Sequence, residues 1–112
     1  MKRLVVILVA LLIAFAVVRL TAAPAPADAA AGKAVYAKKC AMCHGPDGVA
    51  KDSMAKMLKV EMKALGSKEV QALKDDELKK ISVEGKGKMK GVAGMSDADV
   101  ANLIAYVRSL KK

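Results

Sequence analysis

Apolar side chains along the chain form three patterns, and each pattern predicts a different kind of element. The first pattern is an unbroken apolar run from Leu4 to Val18 that follows a basic start and precedes a stretch of small residues ending at Ala27. Such a succession is typical of a secretory signal. We therefore expect export, with cleavage after Ala27. Residues 1–27 would be the signal peptide and residues 28–112 the domain.

A retained membrane anchor is the alternative interpretation of the same segment. The stretch from Leu4 to Ala23 reaches about 20 residues, the length that spans a bilayer, if Arg19 lies at the membrane interface. The uninterrupted apolar run is shorter than that, which favours cleavage. Export is expected in both cases, either to the periplasm or as a membrane-anchored domain.

The second pattern consists of apolar residues at spacings of three and four, which predict helices. The last helix is the clearest, because Ser96 and Asp99 form a capping box at its start. A first helix is expected to begin after Asp28, whose carboxylate can cap it, and to run toward Cys40. The apolar face of the last helix consists of Val100, Leu103, Ile104, Val107 and Leu110.

Weaker periodicity predicts further helices between these two. One helix is expected to run from Asp75 to Gly85, and a short turn of helix lies around Val70 to Leu73. Another helix could be capped by Asp52 or Ser53. Its apolar stripe would consist of Met54, Met57, Leu58, Met62 and Leu65.

The third pattern is a lack of periodicity. The segment from Glu84 to Gly91 contains too many glycines for a regular element and is predicted to be a loop. No segment of residues 28–112 alternates like a strand. The pattern therefore predicts an all-α domain with three to five helices around a cofactor.

Composition explains why a cofactor is needed. Phe15 belongs to the leader, so the domain contains only Tyr36 and Tyr106 as aromatic side chains. A domain of about 85 residues normally needs an additional covalent or metal link, because burial alone gives it little stability. The only cysteines, Cys40 and Cys43, are too close in sequence for a disulfide to restrain much of the chain. A large apolar cofactor would supply the missing core.

The segment Cys40-Ala-Met-Cys43-His44 indicates what this cofactor is. Residues three apart on a helical turn share a face, so both thiols can add to one edge of a porphyrin. His44 lies four residues after Cys40, on the same face, and can bind the iron. This spacing is the attachment signal of covalent haem c.

Other cysteine chemistry fits the segment less well. A thioredoxin-like pair has the same Cys-x-x-Cys spacing, but it requires a preceding strand. A zinc site requires four ligands, and the chain offers two cysteines and one histidine. A thiol protein without haem remains a third interpretation.

A six-coordinate iron also requires a ligand on the opposite face of the ring. Since His44 is the only histidine, a methionine thioether is the natural second ligand. Met42 lies within the attachment loop and cannot reach across the ring. Met95 can pack on the last helix, whereas Met89 lies in a glycine-rich loop where a large apolar side chain has no evident structural role. We predict Met89 as the ligand, with Met95 as its rival.

Three segments resemble the class I c-type cytochromes, in particular the small bacterial monohaem proteins of exported respiratory chains. They are the stretch from Gly32 to Gly45, the loop Gly85-Lys-Gly-Lys-Met89 and the closing segment Leu103-Ile-Ala-Tyr106-Val. The resemblance extends from about Gly32 to Leu110. It implies the small cytochrome c fold, with one haem c bound to Cys40, Cys43, His44 and Met89.

The resemblance further implies that the first and last helices of the domain cross, with Gly32 and Tyr36 against Leu103 and Tyr106. The chain departs from the family at one position. A proline and then an aromatic residue commonly follow the ligating methionine, whereas Lys90 follows Met89 here.

Charge and resemblance together limit the function. The sequence has 20 basic and 11 acidic side chains, and 17 of the basic ones lie after the leader. The export signal and the lack of a nucleic-acid-binding motif argue against nucleic acid as a partner. The resemblance implies a one-electron carrier rather than an enzyme. A five-coordinate haem sensor or weak peroxidase is the alternative. Acidic redox partners could dock near five lysines: Lys38, Lys39, Lys86, Lys88 and Lys90.

Overall fold

The computed structural model of the chain describes residues 1–20 and 26–112. Its first element is helix α1, Lys2–Leu20, which includes the apolar leader. The large apolar side chains from Leu4 to Leu11 are exposed and take no part in the core. Most of the small-residue stretch before the predicted cleavage point, residues 21–25, lies outside the described residues. In the part of the chain that is described, no helix has both the length and the apolar character needed to cross a membrane.

Helices dominate the domain, and the all-α prediction is confirmed. Four helices have seven or more residues, within the predicted three to five, while two others are single turns of four residues. In chain order the elements are α2 (Ala29–Lys39), α3 (Ala41–His44), α4 (Asp52–Leu58), α5 (Lys68–Gln71), α6 (Asp75–Glu84), β1 (Gly85–Lys86), β2 (Met89–Lys90) and α7 (Asp97–Ser109).

The crossing of α2 and α7 is the principal contact of the domain, as the resemblance implied. A Cβ on Gly32 would lie 1.8 Å from the carbonyl oxygen of Asn102, so only glycine allows this approach. The rings of Tyr36 and Tyr106 pack beside it, with centroids 5.0 Å apart and planes tilted by 54°. The backbone N–H of Asp28 also donates to the Asn102 side chain at 2.8 Å.

Helix α7 supplies most of the buried core because its start and its apolar face are both encoded locally. Ser96 Oγ accepts a hydrogen bond from the N–H of Asp99, and the Asp99 carboxylate accepts one from the N–H of Ser96. The predicted capping box is therefore confirmed. The buried cluster consists of Tyr36, Leu78, Leu103, Ile104, Tyr106 and Val107.

A polar clamp joins the segment before α6 to the end of α7. Arg108 donates to the carbonyl oxygens of Gln71 and Leu73, and pairs with the carboxylate of Asp75 at 2.8 Å. The Gln71 side chain in turn donates to the carbonyl oxygens of Leu65 and Val107. Residues 65–75, which include only one short helix, are thereby fixed to the core.

The predicted helical stripe after Asp52 is partly wrong. Helix α4 ends at Leu58, because Lys59 adopts a left-handed conformation with φ of 55°. Met62 and Leu65 therefore lie in an irregular segment, although their spacing continues the helical pattern. The helix begins after Lys51, with no side-chain cap from Asp52 or Ser53.

The predicted loop from Glu84 to Gly91 contains a small antiparallel ladder, which sequence analysis missed. Gly85 pairs with Lys90, and Lys86 pairs with Met89. Gly87 has φ of 59° at the first central position of the two-residue turn. A positive φ at that position is what a type II′ hairpin requires, and only glycine adopts it readily. The glycines that suggested a loop are therefore those of a hairpin.

Candidate functional site

The predicted attachment residues lie together on one turn. Cys40 follows the last residue of α2, and its N–H donates to the carbonyl oxygen of Tyr36 at 2.9 Å. The N–H groups of Cys43 and His44 both donate to the carbonyl oxygen of Cys40, at 3.2 and 3.0 Å. This turn places the two cysteines and His44 within one helical repeat, as their spacing predicted.

The attachment turn is bonded directly to the helix crossing. The hydroxyl of Tyr36, whose side chain is 1% exposed, donates to the carbonyl oxygen of Gly45 at 2.5 Å. On the other side, the N–H of Lys51 donates to the carbonyl oxygen of Cys43 at 3.2 Å. Sequence analysis assigned Tyr36 to the crossing alone and missed this second role. Its position four residues before Cys40 was the available signal.

Both cysteines are free and half-buried. Burial raises the pKa of the Cys40 thiol, and the nearby Cys43 raises it further. A redox-active cysteine would instead need a lowered pKa, because the thiolate is the reactive form. A helix rather than a strand also precedes the pair. The thioredoxin-like interpretation therefore does not fit.

His44 has the properties of a metal ligand. Burial lowers the pKa of its imidazole, which favours the neutral form that binds metals. Its Nδ1 is buried without a hydrogen-bond partner, the only such side-chain nitrogen or oxygen in the described chain. Buried polar atoms are normally paired, so this atom points to a group that the polypeptide does not supply.

A bare metal ion, such as zinc, would require several clustered ligands. Within residues 1–20 and 26–112, no three or more His, Cys, Asp or Glu side chains cluster in a way that could hold a metal ion. The zinc interpretation therefore finds no support in the part of the chain that is described.

The predicted distal ligand lies on a different segment. Met89 belongs to β2, and its side chain is partly buried, whereas the flanking Lys88 and Lys90 are exposed. No hydrogen bond among the described residues joins this hairpin to the attachment turn. Met95 is also partly buried, and it packs against the core cluster. Met57 is 66% exposed.

The five lysines near the predicted site are all exposed. Lys38 and Lys39 occupy the last turn of α2, directly before Cys40. Lys86, Lys88 and Lys90 are the exposed positions of the hairpin, on either side of Met89.

The residues present fit a covalent haem. Two accessible thiols three positions apart can each form a thioether, and a neutral histidine on the same turn can bind iron. A mostly helical domain whose first and last helices cross beside such a turn defines the class of c-type cytochromes, and haem c is its cofactor.

The comparison with known families agrees with this class. The family described as "Cytochrome C oxidase, cbb3-type, subunit III" matches residues 27–107. The chain belongs to this family of c-type cytochrome domains. The matched region covers the predicted domain almost entirely.

Individual relatives point to the same class. The chain is 32% identical to cytochrome c-554(547) of Halothiobacillus neapolitanus over 90 residues, which cover 75% of this chain and 98% of the relative. It is 34% identical to cytochrome c6 of a Picosynechococcus species over 84 residues, 72% of each chain. A solved structure, the KustC0563 c-type cytochrome, superposes with a TM-score of 0.60 at 27% identity, covering 72% of this chain and 98% of that one.

Proposed function

We propose that the protein is a one-electron carrier in which His44 and Met89 bind the iron of one haem c attached to Cys40 and Cys43. The observation that carries the proposal is the buried, unpaired imidazole nitrogen of His44 on the same turn as both thiols. Haem c, when bound, supplies an iron centre that accepts and releases one electron. The polypeptide holds this centre and transforms no substrate.

The role of each residue follows from its chemistry. Thioether formation consumes both thiols, so neither Cys40 nor Cys43 would act as a nucleophile. Burial lowers the pKa of His44 and so favours the neutral imidazole, the form that binds a metal. A thioether from Met89 would favour the reduced iron and raise the reduction potential.

Met89 is favoured over Met95 and Met57 by its surroundings. Its side chain is partly buried in a short hairpin whose neighbouring lysines are exposed, and it lies apart from the core cluster. Met95 already packs on that cluster, which gives it a structural role. Met57 is largely exposed and would have to leave solvent to bind iron.

The cellular setting is part of the proposal. The basic start and apolar run of the first 27 residues support export, either with cleavage after Ala27 or with the leader retained as an anchor. The domain would then work in a periplasmic respiratory or redox chain. Its exposed lysines at the end of α2 and on the hairpin could guide acidic protein partners.

Absorption spectra test the ligand assignment. The purified protein should give a haemochrome spectrum in alkaline pyridine, and its oxidised form should show the far-red sulfur-to-iron charge-transfer band. We expect Met89→Ala to lose this band and Met95→Ala to keep it. Loss of the band in Met95→Ala alone would reverse the assignment. Absence of the band from the unaltered protein, with rapid binding of carbon monoxide when reduced, would favour the five-coordinate alternative.

A further inference from the structure

The hairpin that carries Met89 has a register fixed by its turn. Lys86 pairs with Met89 and Gly85 with Lys90, so the connection consists of only Gly87 and Lys88. Along the two strands, Gly85 and Met89 are partly buried while Lys86 and Lys90 are exposed. Side chains on a strand alternate between faces, so a shift by one residue would exchange Met89 for a lysine.

The hairpin is also fixed to the end of α6. A Cβ on Gly91 would lie 2.1 Å from the carbonyl oxygen of Val83, so the chain leaving β2 passes directly against the last turn of the helix. One residue later, the N–H of Val92 donates to the carbonyl oxygen of Ser82 at 2.9 Å.

This attachment reaches the core in one further step. The hydroxyl of Ser82 donates to the carbonyl oxygen of Leu78 at 2.8 Å, and the Leu78 side chain belongs to the buried cluster. The position of Met89 therefore depends on a turn at one end of the hairpin and on a close backbone approach at the other.

We propose that Gly87 and Gly91 are positioning residues for the distal ligand. Gly87 sets the register that places Met89, rather than Lys88 or Lys90, at the partly buried position of β2, and Gly91 seats the hairpin on α6. Lys90 follows Met89, so no proline restrains the backbone there. The tight turn that Gly87 permits and the close approach that Gly91 permits supply that restraint instead. This inference rests on the proposed role of Met89 as an iron ligand.

The experiment compares three single-methyl additions in the holoprotein. Gly87→Ala introduces a side chain where φ is positive and the surroundings are open, whereas Gly91→Ala introduces one against Val83. Gly94→Ala is the matched control. Gly94 also has a positive φ, 80°, and open surroundings, but it lies outside the hairpin.

The measurements are imidazole binding to the oxidised protein, the far-red charge-transfer band, and unfolding in guanidinium chloride. We expect Gly87→Ala and Gly91→Ala to bind imidazole roughly tenfold faster than the unaltered protein, the factor that about 1.4 kcal/mol of backbone strain generates. Their charge-transfer band should weaken. Gly94→Ala should lose stability to a similar extent as Gly87→Ala but keep the band and the binding rate.

Two results would overturn the inference, and they differ in what else they overturn. If Met89→Ala loses the band while both hairpin variants bind imidazole at the unaltered rate, only the positioning role is wrong. If Met89→Ala keeps the band, the ligand assignment is wrong and the inference fails with it. Should Gly91→Ala not fold, Gly87→Ala still decides the question, since its methyl meets no neighbouring atom within 4 Å.

Discussion

The two segments proposed to hold the haem are stabilised in different ways. The attachment turn at Cys40–His44 is bonded through Tyr36 to a helix crossing formed by residues far apart in sequence. The Met89 hairpin is held by a ladder of four residues and by bonds to α6, the helix immediately before it. The attachment turn is thus linked to the core formed by distant segments, whereas the Met89 hairpin is stabilised by contacts with neighbouring residues in the sequence. Changes to the first should affect folding, and changes to the second should affect iron ligation.

The largest effect is expected from a substitution that adds a methyl group at the helix crossing. Gly32→Ala places a Cβ against the backbone of Asn102, which cannot move without separating α2 from α7. We expect the free energy of unfolding to fall by about 2–3 kcal/mol. Gly94→Ala, where the methyl meets open space, should cost only about 1 kcal/mol of backbone strain. Chemical denaturation of both variants checks this. Equal losses would show that the crossing is not the dominant contact.

Alkaline pH should lower the stability of the helix crossing and the attachment turn through ionisation of Tyr36. Burial raises the pKa of Tyr36 to about 12. Because the folded pKa lies above the unfolded value of 10.0, the stabilisation is complete below pH 10 and is lost as the pH rises toward 12. The loss should be at most about 2–3 kcal/mol.

Tyr36→Phe is the control for the alkaline effect. It should cost about 1 kcal/mol at neutral pH, because the Gly45 carbonyl loses its donor. It should then lose less stability than the unaltered protein between pH 10 and 12, as denaturation curves across that range would show. Parallel pH profiles for the two proteins would contradict the assignment to Tyr36.

The polar clamp at Arg108 extends the global core to residues 65–75. Arg108→Met leaves the carbonyl oxygens of Gln71 and Leu73 without their donor, and we expect a loss of about 1–2 kcal/mol in thermal or chemical unfolding. Asp75→Asn removes only the exposed ion pair and should cost about 0.5 kcal/mol or less. If Asp75→Asn cost more stability than Arg108→Met, the clamp would depend mainly on the ion pair rather than on the hydrogen bonds to the backbone.

The smallest effect on stability is expected from the exposed hairpin lysines. Replacing Lys86, Lys88 and Lys90 by Gln should change the free energy of unfolding by no more than about 0.5 kcal/mol. If this surface guides acidic partners, the rate of reduction by an acidic flavodoxin should fall several-fold at low salt and become less dependent on ionic strength. The control replaces three exposed lysines elsewhere, Lys68, Lys111 and Lys112. An equal fall in the control would indicate general charge rather than docking.

Sequence reasoning succeeded where local and global preferences agree. The start of α7 at Ser96, the end of α6 at Gly85 and the crossing at Gly32 each depend on a residue type with one dominant physical role. Sequence reasoning failed where the same residue types are compatible with two different local structures. The glycines near Met89 suit a loop and a hairpin equally well, and only the pairing with Lys86 distinguishes them. A left-handed lysine at position 59 has no sequence signal at all.

The grouping of Cys40, Cys43 and His44 on one turn was predictable because residues three and four apart lie on one helical turn. The bond from Tyr36 to the turn was signalled only by the position of Tyr36 one helical turn before Cys40, because its acceptor depends on how the chain folds back between Cys40 and Gly45. Whether Met89 or Met95 faces the attachment turn depends on how distant segments pack together. A pattern along the chain does not contain that information.

The bond between Asp28 and Asn102 has a consequence for the order of folding. It joins positions 74 residues apart, near the two ends of the domain. Because Cys40 and Cys43 precede α7 by more than 50 residues, they are synthesised well before the helix that supports their turn. Closing so long a loop is slow compared with forming a single helix. The two ends of the domain are therefore joined only after the last helix has been made.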